Sequence, residues 1–310
     1  MEGQAPACPM GVYALKSMQG WRCERIRASG SLPLHFCLAV FLLNTGVCEE
    51  GASVRIEPNV EKVPANHLKF YLHFSEPMER GEAFRFLRLV EVNDSGKEIA
   101  EVPEPFREVE LWDETFTRMT LWFHPGRQKP GVNLNVDIGP ILEEGRSYRL
   151  EISPAWKTES GAKLGGSLEE VFEAAEMDDN QPDPASWGSG YGIDAKGRSV
   201  ILIHTGETLD PESARRRIQV VVEGEAIDFE VRNNQLAFVP PQKKVDSFRV
   251  VIDPRLEDLA GNSVARPFNL DLDSNPNFQE RTDPVELLFP RKIRLSGDSE
   301  FPGKVEKKKN

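Results

Sequence analysis

The segment SYRLEISP at residues 147–154 returns as SFRVVIDP at residues 247–254, and both copies continue without a gap to Gly161 and Gly261. Within each copy apolar and polar side chains alternate, which is the pattern of a β-strand with one buried face. Two fainter correspondences precede it in the same order: residues 73–78 with 204–209, and residues 120–125 with 235–240. Three matching blocks in one order predict two copies of one folding unit, and a repeat governs the fold prediction.

The runs around these blocks are short and are separated by turn-forming residues. Residues 67–74 alternate cleanly, residues 93–96 read as a turn, and residues 218–222 form another apolar run. Short strands with frequent turns predict an all-β protein of two tandem sandwiches, each made of two antiparallel sheets. The predicted organisation is a leader at 1–48, a first sandwich at 53–175 with a long insertion at 126–145, a linker at 176–196, a second sandwich at 197–274 and a tail at 275–310.

The linker and the tail each carry one apolar feature. We expect Trp187 to fill the seam between the two sandwiches, because buried aromatic side chains dominate such contacts. The glycines around Ser189 indicate a flexible spacer rather than a nucleophile motif. The last strand of the second sandwich is predicted at 267–272, and the apolar run at 285–289 is a candidate for an extra strand.

The charge balance limits the class of partner. The 310 residues include 38 Lys and Arg against 50 Asp and Glu, a net charge of −12, and removal of the leader would leave −14. We therefore expect no nucleic-acid partner, because phosphate binding requires a basic surface. The basic cluster of Lys304 and residues 307–309 is interpreted as a solvated chain end.

The first 48 residues have the composition of an export signal. Three arginines between residues 22 and 27 precede an apolar stretch at 32–43, and small residues follow at Thr45 and Gly46. This order predicts a cleavable signal peptide, with cleavage after Val47 or Cys48, and a periplasmic, cell-surface or extracellular protein. A buried N-terminal strand or helix is the alternative interpretation.

All four cysteines lie in the leader: Cys8, Cys23, Cys37 and Cys48. The predicted mature chain therefore has neither a disulfide framework nor a thiol nucleophile. Cys48 follows Thr45-Gly46-Val47, which resembles a bacterial lipobox, although valine replaces the preferred small residue. A lipid on Cys48 would be the only predicted attachment to a membrane.

The repeated segments resemble the bacterial Ig-like domains of the S-layer-associated type. The resemblance rests on FSEPM at 74–78, the Pro-terminated block at 120–125, the aromatic strands and the turn DLAGN at 258–262. It covers residues 53–272 and implies an immunoglobulin-like sandwich in an exported or surface protein. The corresponding turn at 156–161 keeps its glycine but lacks the aspartate and the asparagine.

One candidate metal site follows from the second copy. Asp253, Asp258 and Asn262, together with Glu257, could supply oxygen ligands to a structural Ca²⁺, which takes six to eight of them. The spacing is not that of an EF-hand, and the alternative is a turn in which Asp258 and Asn262 bond nearby backbone groups. No other cofactor is predicted, because the histidine spacing does not support zinc.

Two hypotheses about function remain open. The first is an exported envelope protein without enzymatic activity that binds protein or polysaccharide or acts as a spacer. The second is an exported hydrolase or carbohydrate-active accessory, whose site is shaped by the insertion at 126–145. Candidate surface-contact residues are Trp122, Arg127 and Trp156, with core aromatics and a loop-ordering arginine as the alternative.

Overall fold

A computed structural model describes residues 51–128, 133–165, 168–241, 245, 247–271 and 274–290. The predicted leader, the lipidation candidate Cys48 and the basic cluster at the chain end lie outside the described residues. In the described part, none of the helices has the length and apolar character needed to cross a membrane.

The first sandwich packs two five-stranded sheets around one apolar core. Its strands are β1 (Ala52–Glu57), β2 (Lys62–Pro64), β3 (Lys69–Phe74), β4 (Leu87–Val92), β5 (Glu98–Glu101), β6 (Leu111–Trp112), β7 (Arg118–Trp122), β8 (Ser147–Ile152), β9 (Leu164–Gly165) and β10 (Glu169–Ala175). One sheet has the order β6-β7-β3-β1-β9 and the other β2-β10-β8-β4-β5. A 3₁₀ helix, Ala83–Phe86, precedes β4, and the helices α1 (Pro125–Gln128) and α2 (Asn133–Ile138) lie between β7 and β8.

The second sandwich packs two four-stranded sheets around a core of its own. Its strands are β11 (Gly188–Ile193), β12 (Ser199–His204), β13 (Ile218–Val222), β14 (Glu225–Ile227), β15 (Glu230–Arg232), β16 (Gln235–Phe238), β17 (Ser247–Ile252) and β18 (Val285–Pro290). The orders are β11-β12-β16-β15 and β14-β13-β17-β18. Helix α3 (Pro211–Arg217) connects the two sheets between β12 and β13.

The two sandwiches have the same arrangement of strands. The order β6-β7-β3-β1 corresponds to β15-β16-β12-β11, and the order β10-β8-β4-β5 corresponds to β18-β17-β13-β14. The first sandwich adds β9 and β2, which are short and pair in parallel, whereas the other pairs are antiparallel. Tyr148 in β8 stacks on Phe172 with ring centroids 6.1 Å apart, and Phe248 in β17 stacks on Phe289 at 5.0 Å. The all-β sandwich fold is therefore confirmed.

Several predicted boundaries need correction. Residues 188–193 were expected to be linker but form β11, which pairs along its whole length with β12. Trp187 does not fill a seam, because it is 1% exposed and belongs to the core of the second sandwich. Residues 267–271 hold no strand, and the tail segment 285–290 closes the sheet instead as β18. The strand that pairs with β17 is therefore the later apolar run at 285–290.

The described part of the insertion at 126–145 is folded against the first sandwich. The buried Arg127 guanidinium donates to the carbonyl oxygen of Gly139 at 3.0 Å and to that of Pro140 at 2.7 Å, and also to that of Pro103. Ile141 and Leu142 continue from this segment into the core. Arg127 is 2% exposed, so the surface-contact prediction is wrong for this residue and the loop-ordering interpretation holds.

Trp156 also lies in the interior. It is fully buried, its ring stacks on Phe86 with centroids 5.5 Å apart, and its Nε1 donates to the carbonyl oxygen of Glu79 at 2.9 Å. A partner cannot reach this indole, so the surface-contact prediction for Trp156 is corrected as well. Burial of an indole whose N–H is satisfied stabilises the core at the end of β8.

Candidate functional site

The turn at 258–262 joins the two sandwiches. Leu259 at its tip is 3% exposed and is part of the apolar core of the first sandwich, although it belongs to the second. The backbone N–H of Leu68 donates to the Leu259 carbonyl at 3.0 Å, and Nδ1 of His67 lies 3.1 Å from the same oxygen. Burial lowers the pKa of His67 to about 3, so this ring is neutral at physiological pH. The turn thus connects the two sandwiches, because Leu259 packs in the core of the first one.

Asp258 holds this turn in shape. Its Oδ1 accepts hydrogen bonds from the backbone N–H groups of Ala260 and Asn262 at 2.8 and 2.9 Å, and its Oδ2 accepts from Nδ2 of Asn262 at 2.9 Å. Nδ2 of Asn262 also donates to the carbonyl oxygen of Asp178 at 2.9 Å. The bonds are those of a side chain that forms a turn by capping its own backbone.

Three carboxylates converge at the same place. Oxygen atoms of Asp178, Glu207 and Asp258 lie within 4.8 Å of one another. Burial and the charges of Asp178 and Glu207 raise the pKa of Asp258 to about 8, against the hydrogen bond from Asn262. Burial and the charges of Asp178 and Asp183 raise the pKa of Glu207 to about 7. Glu207 and Asp258 can therefore hold protons near neutral pH, and the carboxylate oxygens of all three residues are of the type that Ca²⁺ prefers.

The structure brings together only part of the predicted calcium set. Asp258 and Asn262 are in contact, and Asp258 joins Asp178 and Glu207, which the sequence did not indicate because they lie far from it along the chain. Asp253 pairs instead with Arg217 at 3.0 Å and Arg255 at 2.7 Å. The hydrogen bond from Arg255 and the charge of Arg217 lower the pKa of Asp253, so it stays ionised and neutralised by arginine. Its inclusion as a calcium ligand is corrected.

A second polar contact between the sandwiches is buried. The Tyr71 hydroxyl lies 2.9 Å from both carboxylate oxygens of Asp210, to which it donates, and Asp210 caps α3 by accepting from the Ser213 N–H at 2.7 Å. Nζ of Lys69 lies 2.7 Å from Glu257 and 3.4 Å from Asp210. Burial opposes the charge of Lys69, but these two carboxylates raise its pKa, so the ammonium persists.

A second group of possible metal ligands is already neutralised by arginine. Glu57, His73 and Glu212 bring ligand atoms within 4.8 Å of one another. Arg215 donates to both carboxylate oxygens of Glu57 at 2.9 Å, and Arg118 pairs with Glu212. Burial raises the pKa of Glu57, but hydrogen bonds from His73 and Arg215 lower it well below its ordinary value. The group therefore acts as an ion-pair network between the sandwiches rather than as a zinc site.

A groove lies beside these contacts. It is about 510 Å³ in volume and is lined by Lys69, Tyr71 and Trp122 of the first sandwich and by Arg216 and Arg266 of the second, among others. Trp122 is half-buried here, so it is the one of the three predicted surface-contact residues that reaches a surface. The arginines were missed from the sequence, although the run of three at 215–217 is unusual in an acidic chain.

Comparisons with known proteins identify no family. No family model matches the sequence, and no curated protein matches it. Similar solved structures include a crystal structure of native alpha-2-macroglobulin from Escherichia coli spanning domains MG0-NIE-MG1, with 10% identity, 81% of this chain and 68% of that chain covered, and a TM-score of 0.23. A cryo-EM reconstruction of the native Escherichia coli protein has 11% identity, 64% and 13% coverage, and a TM-score of 0.22.

TM-scores of 0.23 and 0.22 do not establish a common fold or a common function. The strand pairing, the apolar cores and the contacts of this chain characterise its fold independently of those structures. These define an all-β protein whose two sandwiches are joined by a buried turn and by buried polar groups.

Proposed function

We propose that the protein is a rigid two-sandwich module of the cell envelope that binds or spaces other envelope components and catalyses no reaction. The observation that carries this proposal is the place of Leu259, which belongs to the second sandwich and is buried in the core of the first. A contact of this kind suppresses the domain motion expected of two units connected by a chain alone. A stiff body suits a spacer and presents a binding surface in a fixed geometry.

The matched strand orders support an origin by internal duplication. The two stacked pairs, Tyr148 with Phe172 and Phe248 with Phe289, occupy corresponding positions in the two copies. We propose that the two copies are diverged bacterial Ig-like domains of the S-layer-associated type, with the first ending near residue 175 and the second at β18. The turn at 258–262 is then the family's closing turn, used here as a contact between domains.

Export is part of the proposal and rests on the sequence of residues 1–48. The order of basic, apolar and small residues supports a cleaved signal peptide. Whether Cys48 is removed or becomes a lipid anchor decides between a soluble and a membrane-attached form. Mass spectrometry of the protein from a host that exports it measures the mature N-terminus and any acyl group directly.

The enzyme alternative has less support from the described residues. That hypothesis requires the insertion at 126–145 to shape a cleft, whereas the described part of the insertion packs onto the sandwich through Arg127. The groove described above is lined by other elements. Of the three acids that line it, Glu212 is paired with Arg118 and Glu257 with Lys69, which suits charge neutralisation better than acid–base work.

The rigid-module proposal can be tested with the full chain labelled with 5-fluorotryptophan. Trp156 reports on the first core and Trp187 on the second. A single rigid body predicts that both fluorine resonances lose their native positions at one urea concentration. Two well-separated midpoints for the unaltered chain would contradict the proposal.

A control links the result to the proposed contact. Leu259→Ala truncates the side chain that packs in the first core and leaves the second core intact. The two midpoints should then separate, and both should remain measurable because each sandwich retains its own core.

A further inference from the structure

The groove continues into a second depression of about 500 Å³. Arg216, Arg217, Arg255 and Glu280 line both depressions and form the boundary between them. We call the pair the basic groove. Each half is in the range of ~300–1,000 Å³ that is usual for small-ligand sites, so together they suit an extended ligand of several linked units.

Part of the charge in the basic groove is neutralised internally. Arg118 pairs with Glu212, Lys69 pairs with Glu257, and Arg217 and Arg255 pair with Asp253. These ion pairs fix the positions of the side chains but leave little net charge for a ligand.

Three other arginines keep their charge available. Arg216 approaches a carboxylate, that of Glu212, no closer than 3.9 Å, and its side chain is 64% exposed. Arg266 and Arg281 are exposed and make no ion pair with the residues that the structure describes. The acid Glu280 also lines the groove and offsets one of these charges. The residues that line the basic groove therefore carry a net positive charge, although the net charge of the whole chain is −12.

The difference in charge between the basic groove and the rest of the chain affects which ligands approach it. A cleft whose lining carries a net charge attracts ligands of the opposite sign, while like-charged regions repel them. An anionic ligand is thus repelled by the acidic remainder of the surface and guided to the basic groove. Guanidinium groups also bind carboxylate and sulfate in a bidentate manner, which adds geometric selectivity.

Trp122 adds an aromatic surface to the same groove. Its half-buried indole lies beside Lys69, whose Nζ is 5.8 Å from the ring centroid, and Leu111 lies nearby with 40% exposure. Aromatic and aliphatic faces favour ligands that present apolar C–H surface as well as charge. Pyranose rings present apolar C–H surface of this kind, whereas the side chains of an acidic peptide present little apolar surface.

We propose that the basic groove binds a segment of an acidic polysaccharide, with the carboxylate or sulfate groups on Arg216, Arg266 and Arg281 and a sugar ring against Trp122. This inference deepens the proposed function by naming the chemistry of its partner. It rests on the proposed function in one respect only: a protein of the cell envelope is in the place where acidic polysaccharides occur. Binding itself requires neither export nor a rigid connection between the sandwiches.

The test uses calorimetric titration of the full chain at low ionic strength with three hexasaccharides. These are galacturonate, heparin-derived and neutral maltohexaose, so that carboxylate, sulfate and uncharged sugar are compared. The two acidic sugars should bind and the neutral one should not. Arg216→Gln/Arg266→Gln should weaken binding by about tenfold or more, because charge-assisted hydrogen bonds to the acidic groups are lost.

Arg85→Gln/Arg107→Gln is the matched control. It changes the net charge equally at two exposed arginines that do not line the groove, and it should alter affinity by less than about twofold. An equal loss in both double variants, or no binding of either acidic sugar, would overturn the proposal. Hexaglutamate that binds as tightly as the acidic sugars would show that the groove recognises charge alone, which overturns the glycan assignment. Separate unfolding of the two sandwiches with glycan binding intact would refute the rigid module and leave this inference standing.

Discussion

Gly261 of the second sandwich lies directly against Leu68 of the first. A Cβ at position 261 would stand 2.2 Å from Cδ1 of Leu68, well inside van der Waals contact, and the glycine has a φ of +84°. Only glycine satisfies both conditions, since other residues rarely adopt positive φ and all carry a Cβ. The backbone of this turn therefore lies against the Leu68 side chain, and a Cβ at position 261 requires that side chain to move.

Gly261→Ala should reduce the free energy of unfolding by about 2–5 kcal/mol, from backbone strain and the displacement of Leu68. Urea denaturation of the purified chain measures this loss. The control is Gly161→Ala at the equivalent position of the first sandwich, where φ is +88° but no atom lies within 4 Å of the added Cβ. That variant should lose only the strain contribution, and equal losses would mean that the contact with Leu68 is unimportant.

Tyr71→Phe should destabilise the protein by about 1.5–3 kcal/mol, because a hydrogen bond to a buried carboxylate is lost. Asp210 would keep its bond from the Ser213 N–H and its contact with Lys69. Tyr191→Phe is the matched control, since Tyr191 is 54% exposed on β11 and should change stability by no more than about 0.5 kcal/mol. Chemical denaturation of both variants and of the unaltered chain measures these changes in the free energy of unfolding.

Stability should fall as pH rises from about 5 to about 8. Asp258 titrates near 3.8 in the unfolded chain and near 8 in the folded protein, so the folded state holds the extra proton across this window. A state that binds more protons loses stability when pH increases, by on the order of 2 kcal/mol here. Glu207, with a folded pKa of about 7, acts in the same direction.

Asp258→Asn should flatten this profile. The amide oxygen can still accept from the N–H groups of Ala260 and Asn262, while the titrating group is gone. Urea denaturation at intervals across the same pH range compares the two proteins. A decline as steep in the variant as in the unaltered chain would assign the effect to other groups.

The calcium hypothesis from the sequence gives its own prediction. Calcium at the three carboxylates must compete with protons for Glu207 and Asp258, so it should raise the melting temperature more at pH 8 than at pH 6, on either side of the Glu207 pKa of about 7. Asp258→Asn should abolish that increase. A melting temperature that does not respond to calcium at either pH would leave Asp258 as a turn former alone.

The strands were predictable where alternation was local. The alternating segments at 147–154 and 247–254 contain β8 and β17, and the apolar run at 218–222 coincides with β13. Residues 225–227 and 230–232 form two separate strands, because β14 pairs with β13 while β15 pairs with β16 in the other sheet. A change of sheet alters pairing partners without interrupting the apolar pattern, so the sequence could not reveal it.

The start of helix α3 is indicated by the sequence. Asp210 followed by Pro211 is a typical helix start, and the Asp210 side chain does accept from the N–H of Ser213. Of the three arginines that end this helix, Arg216 and Arg217 line the basic groove, and Arg215 and Arg217 form ion pairs. Their significance depends on the acids and strands brought near them, which only the fold specifies.

The sequence by itself determined the all-β character, the positions of several strands and the turn at 258–262, because alternation and turn propensity act over a few neighbouring residues. Only the tertiary structure decided that Leu259 enters the other domain's core, that Asp258 meets Asp178 and Glu207, and that Trp122 borders a cationic groove. These relationships join residues far apart in the chain, and their energies depend on burial and on charges that no local pattern encodes.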